Sequence, residues 1–249
     1  MDKKWTKSQF EHHLHEKHGG NGIASYLKEI VYGGNDGIIT TFAVVAGFSG
    51  AQAGHLGGTI PLITVLLFGC ANLFADGLSM GLGNFLSIRA DQDIYRTEKA
   101  KEEYEVEHAR ENEIAETQYL FEAQGFSKKD ASVMTEICAK NPVFWVDFMM
   151  KYELGMHDPE EDSAWKNGCA TFLSFIIFGA IPLLPYILFT DLMFHFYWSC
   201  VFTALALITL GLIRSLLSGQ SYVRAVLETL LLGGIAAIVA FLVGTLFRG

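Results

Sequence analysis

Between Thr59 and Glu116 the chain changes solvent without losing its helical character. The first half, TIPLITVLLFGCANLFADGLSMGLGNFLSI, carries no charge except Asp76; the second, RADQDIYRTEKAKEEYEVEHARENEIAE, is among the most charged parts of the sequence. No proline follows Pro61 in this stretch, and its glycines all lie in the apolar half. The thirty residues 59–88 would span ~45 Å as a helix, against a hydrocarbon core of ~30 Å, so the helix must tilt or project. The pattern predicts a transmembrane helix that leaves the bilayer and continues into water as an acidic helix. Such an element couples a carboxylate-rich aqueous surface to a polar site in lipid, which is a transporter's geometry.

The charge balance narrows the partners. Residues 89–166 hold ten Lys and Arg against nineteen Asp and Glu, whereas the rest of the 249-residue chain holds eight of each sign. The whole acidic excess sits in one insert, which points to a cationic partner and away from nucleic acid. A solvated acidic domain without a ligand is the alternative. With 51% hydrophobic residues, the chain has room for one membrane domain and a small soluble insert. Cys70, Cys138, Cys169 and Cys200 show no CxxC spacing, so neither a disulfide framework nor a zinc ribbon is implied. The first 22 residues are polar, and no cleavable signal peptide is read in them.

Residues 1–24 read as a polar tail in which His12, His13, His15 and His18 are either metal ligands or part of a disordered segment. Apolar runs at Ile30–Gly54, Thr59–Ile88, Gly168–Phe189, Leu192–Ile213 and Ala225–Phe247 predict five transmembrane helices, two within residues 25–88 and three within 167–249. Pro182 and Pro185 predict a kink in the third. Residues 89–166 predict an acidic domain of three helices. The first runs to about Glu122, the second from Lys128 to Ala139 behind an N-cap at Ser127, and the third from Val143 to about Leu154 after an Asn-Pro break. The fold class is therefore all-α, a polytopic membrane protein with five transmembrane helices and a three-helix insert that binds metal. Lys and Arg occur in the tail, the insert and the 214–224 loop but not at 55–58 or 190–191, so the tail and residues 89–166 are expected in the cytosol.

On an ideal helix at ~100° per residue, Glu102, Glu105, Glu113 and Glu116 fall within an arc of about 80°. Two i, i+3 carboxylate pairs on one face suit hard or borderline divalent cations. The pairs would lie ~16 Å apart on a straight helix, so one ion joins them only if the helix breaks, near His108–Asn112. Otherwise the face holds two sites or none. In VDFMMKYELGM, Met149 and Glu153 are one turn apart with Met150 beside them. A thioether with a carboxylate favours Fe(II) or Zn(II) over Ca or Mg, although a Met pair is also a packing element. Glu105-Val-Glu-His108 matches the Glu-x-x-His pattern of di-iron bundles, but no second copy accompanies it in the insert.

In the spans, Asp36 is a carboxylate where carboxylates are rare and functional, or else an interfacial helix cap. Asn72, Asp76, Met80 and Asn84 step by four along one stripe of the second span, flanked by Gly77 and Gly81. A stripe of that kind lines a path or an interface.

Together these residues resemble the vacuolar iron transporter family. The resemblance is carried by DGIITTFAVVAGFSGA in the first span, DGLSMGLGNFLSIRADQDIY at the end of the second and ETLLLGGIAAIVAFLVG in the fifth. The order of two spans, acidic insert and three spans also matches, over about Ser25 to Gly249. The resemblance implies a homodimer of five-span protomers with the path between subunits. It implies export of Fe(II), and of related divalent ions such as Zn, Mn or Co, from the cytosol in exchange for protons. It further implies that Glu102, Glu105, Glu113, Glu116, Met149, Met150 and Glu153 collect the metal, and that Asp36 and Met80 are the intramembrane Asp and Met. The chain departs from the family pattern in three places, one of them a longer loop and start of the second span. Asn72 stands where a Glu is found, with Asp76 one turn later, and the proline-containing break between the two Glu pairs is absent.

The reading is a proton-coupled antiporter of a vacuolar or bacterial inner membrane, not an enzyme and without a prosthetic group. Its pathway uses Asp36, Asn72, Asp76 and Met80. The competing readings are a membrane-anchored metal buffer or sensor, and a tethered di-iron oxidase.

Overall fold

The computed structural model describes residues 24–52, 61–159, 163–188 and 194–247, with Thr6 and Ser8. The tail histidines and the loops at 55–58 and 190–191 lie outside the described residues. All regular structure among the described residues is helical. After a 3-10 turn at Ala24–Tyr26 come α1 (Leu27–Gln52), α2 (Leu62–His108), α3 (Arg110–Ala123), α4 (Lys128–Cys138) and α5 (Pro142–Tyr152). Then follow α6 (Ala164–Gly179), a 3-10 turn at Ile181–Leu183 running into α7 (Leu184–Leu188), α8 (His195–Ser218) and α9 (Tyr222–Leu246). The chain divides into two compact units, residues 1–84 with 165–249 and residues 85–164.

In the first unit, α2, α6 with α7, α8 and α9 are each long and apolar enough to cross a membrane. Helix α1 is not among them. It is long enough at 26 residues, but Asn35, Asp36, Thr40, Thr41 and its glycines dilute its hydropathy. That composition serves packing instead. A Cβ on Gly37 would collide with the carbonyl oxygen of Phe175 on α6, and one on Gly244 of α9 with the carbonyl oxygen of Gly47 on α1. Ile38 packs with Ala206, Leu207 and Leu210 of α8 in one buried cluster. The expected kink in the third span is a change of helix type. Helix α6 stops at Gly179, Pro182 removes a backbone donor, and Ser199 Oγ donates to the Pro182 carbonyl at 2.7 Å.

The second unit corrects the three-helix expectation. The helix expected to reach Glu122 is two helices, because Ala109 leaves helical conformation at φ −118 and ψ 29 between α2 and α3. The insert is thus built of four helical segments. No proline makes this break. The Arg110 guanidinium donates to the Ala139 carbonyl at 2.6 Å and lies 5.0 Å over the Trp145 ring, which pulls the start of α3 onto α4 and α5. Local caps set the other ends. The Ser127 hydroxyl accepts from the Asp130 N–H at 3.2 Å, and Asn141 Oδ1 accepts from the Phe144 N–H at 3.3 Å, with Pro142 opening α5. Their apolar faces close a core that includes Tyr95, Val106, Phe121, Trp145, Met149 and Met150.

Replacing Gly37 by Ala should cost ~1–3 kcal/mol of stability, because the added methyl meets only rigid backbone. Gly83→Ala, whose Cβ would find nothing within 4 Å, should be neutral or slightly stabilising. Thermal unfolding of both variants in detergent checks this, and equal midpoints would refute the close helix approach.

Candidate metal centre

The break at Ala109 is what assembles the site. With the helix interrupted, Glu102 of α2 and Glu113 of α3 meet as neighbouring carboxylates. Glu153, the C-cap of α5, joins them, and the three offer carboxylate oxygens that all lie within 4.8 Å of one another. Among the described residues this is the one grouping of three or more His, Cys, Asp or Glu side chains at such distances. Glu102 and Glu113 are each 3% exposed, while Glu153 is the most exposed of the three and only partly shielded. Glu102 Oε1 and Glu113 Oε2 are buried with no hydrogen-bond partner among the described protein atoms, a situation that protein interiors rarely leave.

The thioether stands one rung away. Glu113 and Thr117 are a turn apart on α3, and Met149 and Glu153 a turn apart at the end of α5. Thr117 Oγ1 lies 3.3 Å from Met149 Sδ and 2.7 Å from the Glu113 carbonyl oxygen, and it accepts the Trp145 Nε1–H at 2.7 Å. Met150 is buried in the same apolar core. Glu105 and Glu116 are exposed, but both act electrostatically on the buried cluster.

Burial first, and neighbouring carboxylates second, raise the Glu102 pKa to about 8. Burial also leads the rise of Glu113 to about 7 and of Glu153 above its ordinary value. Every charged neighbour responsible for these shifts is itself a carboxylate. The empty centre therefore holds a shared proton near neutrality. A divalent cation can replace that proton and satisfy the orphaned oxygens.

In the first unit Asp36 is half-buried and sits well inside α1, which begins at Leu27, so it does not cap the helix. It lines a cavity of about 710 Å³ with Lys28, Tyr32, Asn35, Arg214 and Thr229. Asp76 of α2 is close enough to act on it electrostatically. Asn72, Asp76, Met80 and Asn84 are all half-buried beside buried Leu73, Gly77 and Gly81, while Phe74, Leu78 and Leu82 are exposed. The stripe is a real face of α2, and Asn84 Nδ2 donates to Thr171 Oγ1 at 2.9 Å. Asn72 lines a separate groove of about 720 Å³ with Ala43, Gly47, Phe48, Ala75 and Gly244.

A profile of the VIT family matches residues 27–245. The chain belongs to the VIT family. This is the vacuolar iron transporter family that its motifs resemble, and its members are transporters, so the protein is an integral membrane transporter and not an enzyme. It is 35% identical to the vacuolar iron transporter of Toxoplasma gondii, across 94% of this chain and 78% of that protein. It is 33% identical to vacuolar iron transporter 1 of Arabidopsis thaliana, across 93% and 88%. With the vacuolar iron transporter of Plasmodium falciparum it shares 35% identity across 96% and 89%.

In this VIT-family chain the structure brings Glu102, Glu113 and Glu153 together, sets Met149 beside Glu113 through Thr117, and leaves Glu105 and Glu116 at the exposed edge. It separates His108 from the centre: the ring stacks on Tyr104 at 4.1 Å, and Nδ1 lies 3.0 Å from the Tyr104 carbonyl oxygen. That removes the ligand the di-iron reading needs. Sequence reasoning missed Thr117, Trp145 and Arg110. The i+4 spacing from Glu113 could have found Thr117, but nothing local marks the other two.

The raised carboxyls set a pH dependence. Glu102 and Glu113 hold protons up to about 8 and about 7 in the folded protein, against 4.5 for an unperturbed Glu. The stability this supplies is complete below pH 4.5 and is lost as pH rises through 7 to 8. The metal-free protein should therefore unfold at a higher temperature at about pH 6 than at about pH 8.5, and Glu102→Gln should flatten the difference. Calorimetry at the two pH values measures it, and a wild-type midpoint that does not fall at the higher pH would exclude the shared proton.

Proposed function

We propose that this protein is a proton-coupled antiporter that exports Fe(II), and related divalent ions such as Zn(II), Mn(II) and Co(II), from the cytosol. The observation that carries the reading is the Glu102–Glu113–Glu153 group, whose charged neighbours are all carboxylates. Such a group, with no cation among its described charged neighbours, exchanges a proton for a metal ion. The names of the relatives, vacuolar iron transporters, support iron as the cargo and a vacuolar membrane as the location; a bacterial inner membrane is the other setting for such a chain. On this reading the tail and residues 89–166 face the cytosol, α1 is a fifth span, and two protomers form a homodimer.

The steps follow from the donors. Exposed Glu105 and Glu116 raise the local cation concentration, and Glu102, Glu113 and Glu153 bind the ion as the shared proton leaves. Met149 and Met150 bias the choice toward softer metals. In the membrane Asp36, Asp76 and Met80 hand the ion on, with Asn72 lining the neighbouring groove. Asp36 alternates between proton and metal, since a carboxylate away from bulk water binds either strongly.

Fe(II) uptake into proteoliposomes, with and without an acidic interior, tests the whole reading. Accumulation that rises with the gradient and alkalinises the lumen is expected. Metal binding without flux would make the protein a buffer or sensor, and flux indifferent to the gradient would remove the proton coupling. Asp36→Asn should abolish flux while leaving metal binding at the insert intact, because the substitution changes charge with almost no change in shape. Flux at the wild-type rate would take Asp36 out of the pathway.

A further inference from the structure

The Thr117 hydroxyl has one proton and more neighbours than that proton can serve. It accepts the Trp145 indole N–H at 2.7 Å, and its own proton has two acceptors, the Glu113 carbonyl oxygen at 2.7 Å and Met149 Sδ at 3.3 Å. Thr117, Trp145 and Met149 are each fully buried, so bulk water does not compete for these bonds. The Trp145 ring is itself held, with the Arg110 guanidinium 5.0 Å over its face. The indole therefore fixes the oxygen, and the remaining freedom is the choice of acceptor.

We propose that Thr117, anchored by Trp145, is a positioning residue for metal selection: its hydroxyl holds the Met149 sulfur while the centre is empty and turns to the Glu113 carbonyl when a cation takes the sulfur. The inference rests on the reading of Met149 as a ligand. A methionine side chain has three rotatable bonds, and holding its sulfur in advance lowers the ordering cost of ligation. The second acceptor means that the buried hydroxyl is not left without a partner once the sulfur is engaged. A hard ion such as Mn(II), satisfied by oxygen donors, gains little from either step, whereas a sulfur-tolerant ion gains from both. Thr117 thus widens the gap between the two kinds of cation without touching the metal.

The experiment measures Co(II) and Mn(II) affinities on the purified full-length protein, Co(II) standing in for Fe(II) because it resists oxidation. Thr117→Val should lower the ratio of Co(II) to Mn(II) affinity by roughly threefold to tenfold, the equivalent of one modest hydrogen bond. Mn(II) binding should stay near wild type, and Thr117→Ser should restore the ratio. In a Met149→Leu background, Thr117→Val should change the ratio no further. If Thr117→Val weakens both metals equally, or acts as strongly without Met149, the residue is structural and the proposal fails. If Met149→Leu leaves the ratio untouched while both metals still bind, the sulfur is no ligand; the proposal then fails and the carboxylate centre stands. If neither metal binds the wild-type protein, the metal-centre reading fails and takes the proposal with it.

Discussion

Two ionised carboxylates within a few ångströms repel by roughly 3 kcal/mol even at an effective dielectric of about 20, and the second unit builds such a pair into its interior. Glu102 and Glu113 are buried at the edge of a core formed by Trp145, Phe121, Phe148 and Met149. Apolar burial in that core holds the carboxylates where they would not go on their own. The repulsion has two remedies. A proton shared between the pair is the neutral one, and a divalent cation is the charged one. The break at Ala109, the Arg110 tether and the arrival of Glu153 at the end of α5 all serve to leave both remedies open at one place.

The break itself shows where local reading stops. The two Glu pairs and the distance that separates them on a straight helix are visible in the sequence. A break near His108–Asn112 is visible as the condition for a single site, but its position at Ala109 and its cause are not, because alanine is the best helix former. Its cause is tertiary: Arg110 finds Ala139 and Trp145, partners that local propensity cannot see. By contrast α4 and α5 are legible to within a residue or two, since Ser127 and Asn141-Pro142 carry their caps in the sequence. The candidate carboxylates are legible as residue types at helical spacing. The contact that holds Thr117 beside Met149, the Trp145 indole on the Thr117 hydroxyl, spans 28 residues and leaves no periodic trace.

In the first unit the same glycines admit two readings, and packing decides between them. Gly33 and Gly34 before Asn35 look like a loop ahead of a helix, which makes Asp36 a candidate cap. In the structure they are helical and buried against α6 and α8, so the helix starts earlier and Asp36 stands inside it. A membrane helix that must let two neighbours approach to backbone distance sacrifices side-chain bulk, and with it hydropathy. That is why α1 falls short as a span by composition while it packs closely against its apolar neighbours.

Asn72 and Asp76 stand one turn apart on α2 but look onto different surroundings. Four residues advance an α-helix by ~6 Å and return to nearly the same face. In this chain that step changes the surroundings. Position 72 opens on a groove walled by Ala43, Gly47, Ala75 and Gly244, with few polar partners for a charge. Position 76 is within electrostatic reach of Asp36. A carboxylate at position 76 therefore has a second one, Asp36 of α1, within electrostatic reach, as one at position 72 would not. Two acids so placed repel when both are charged, the condition that also governs Glu102 and Glu113 in the insert.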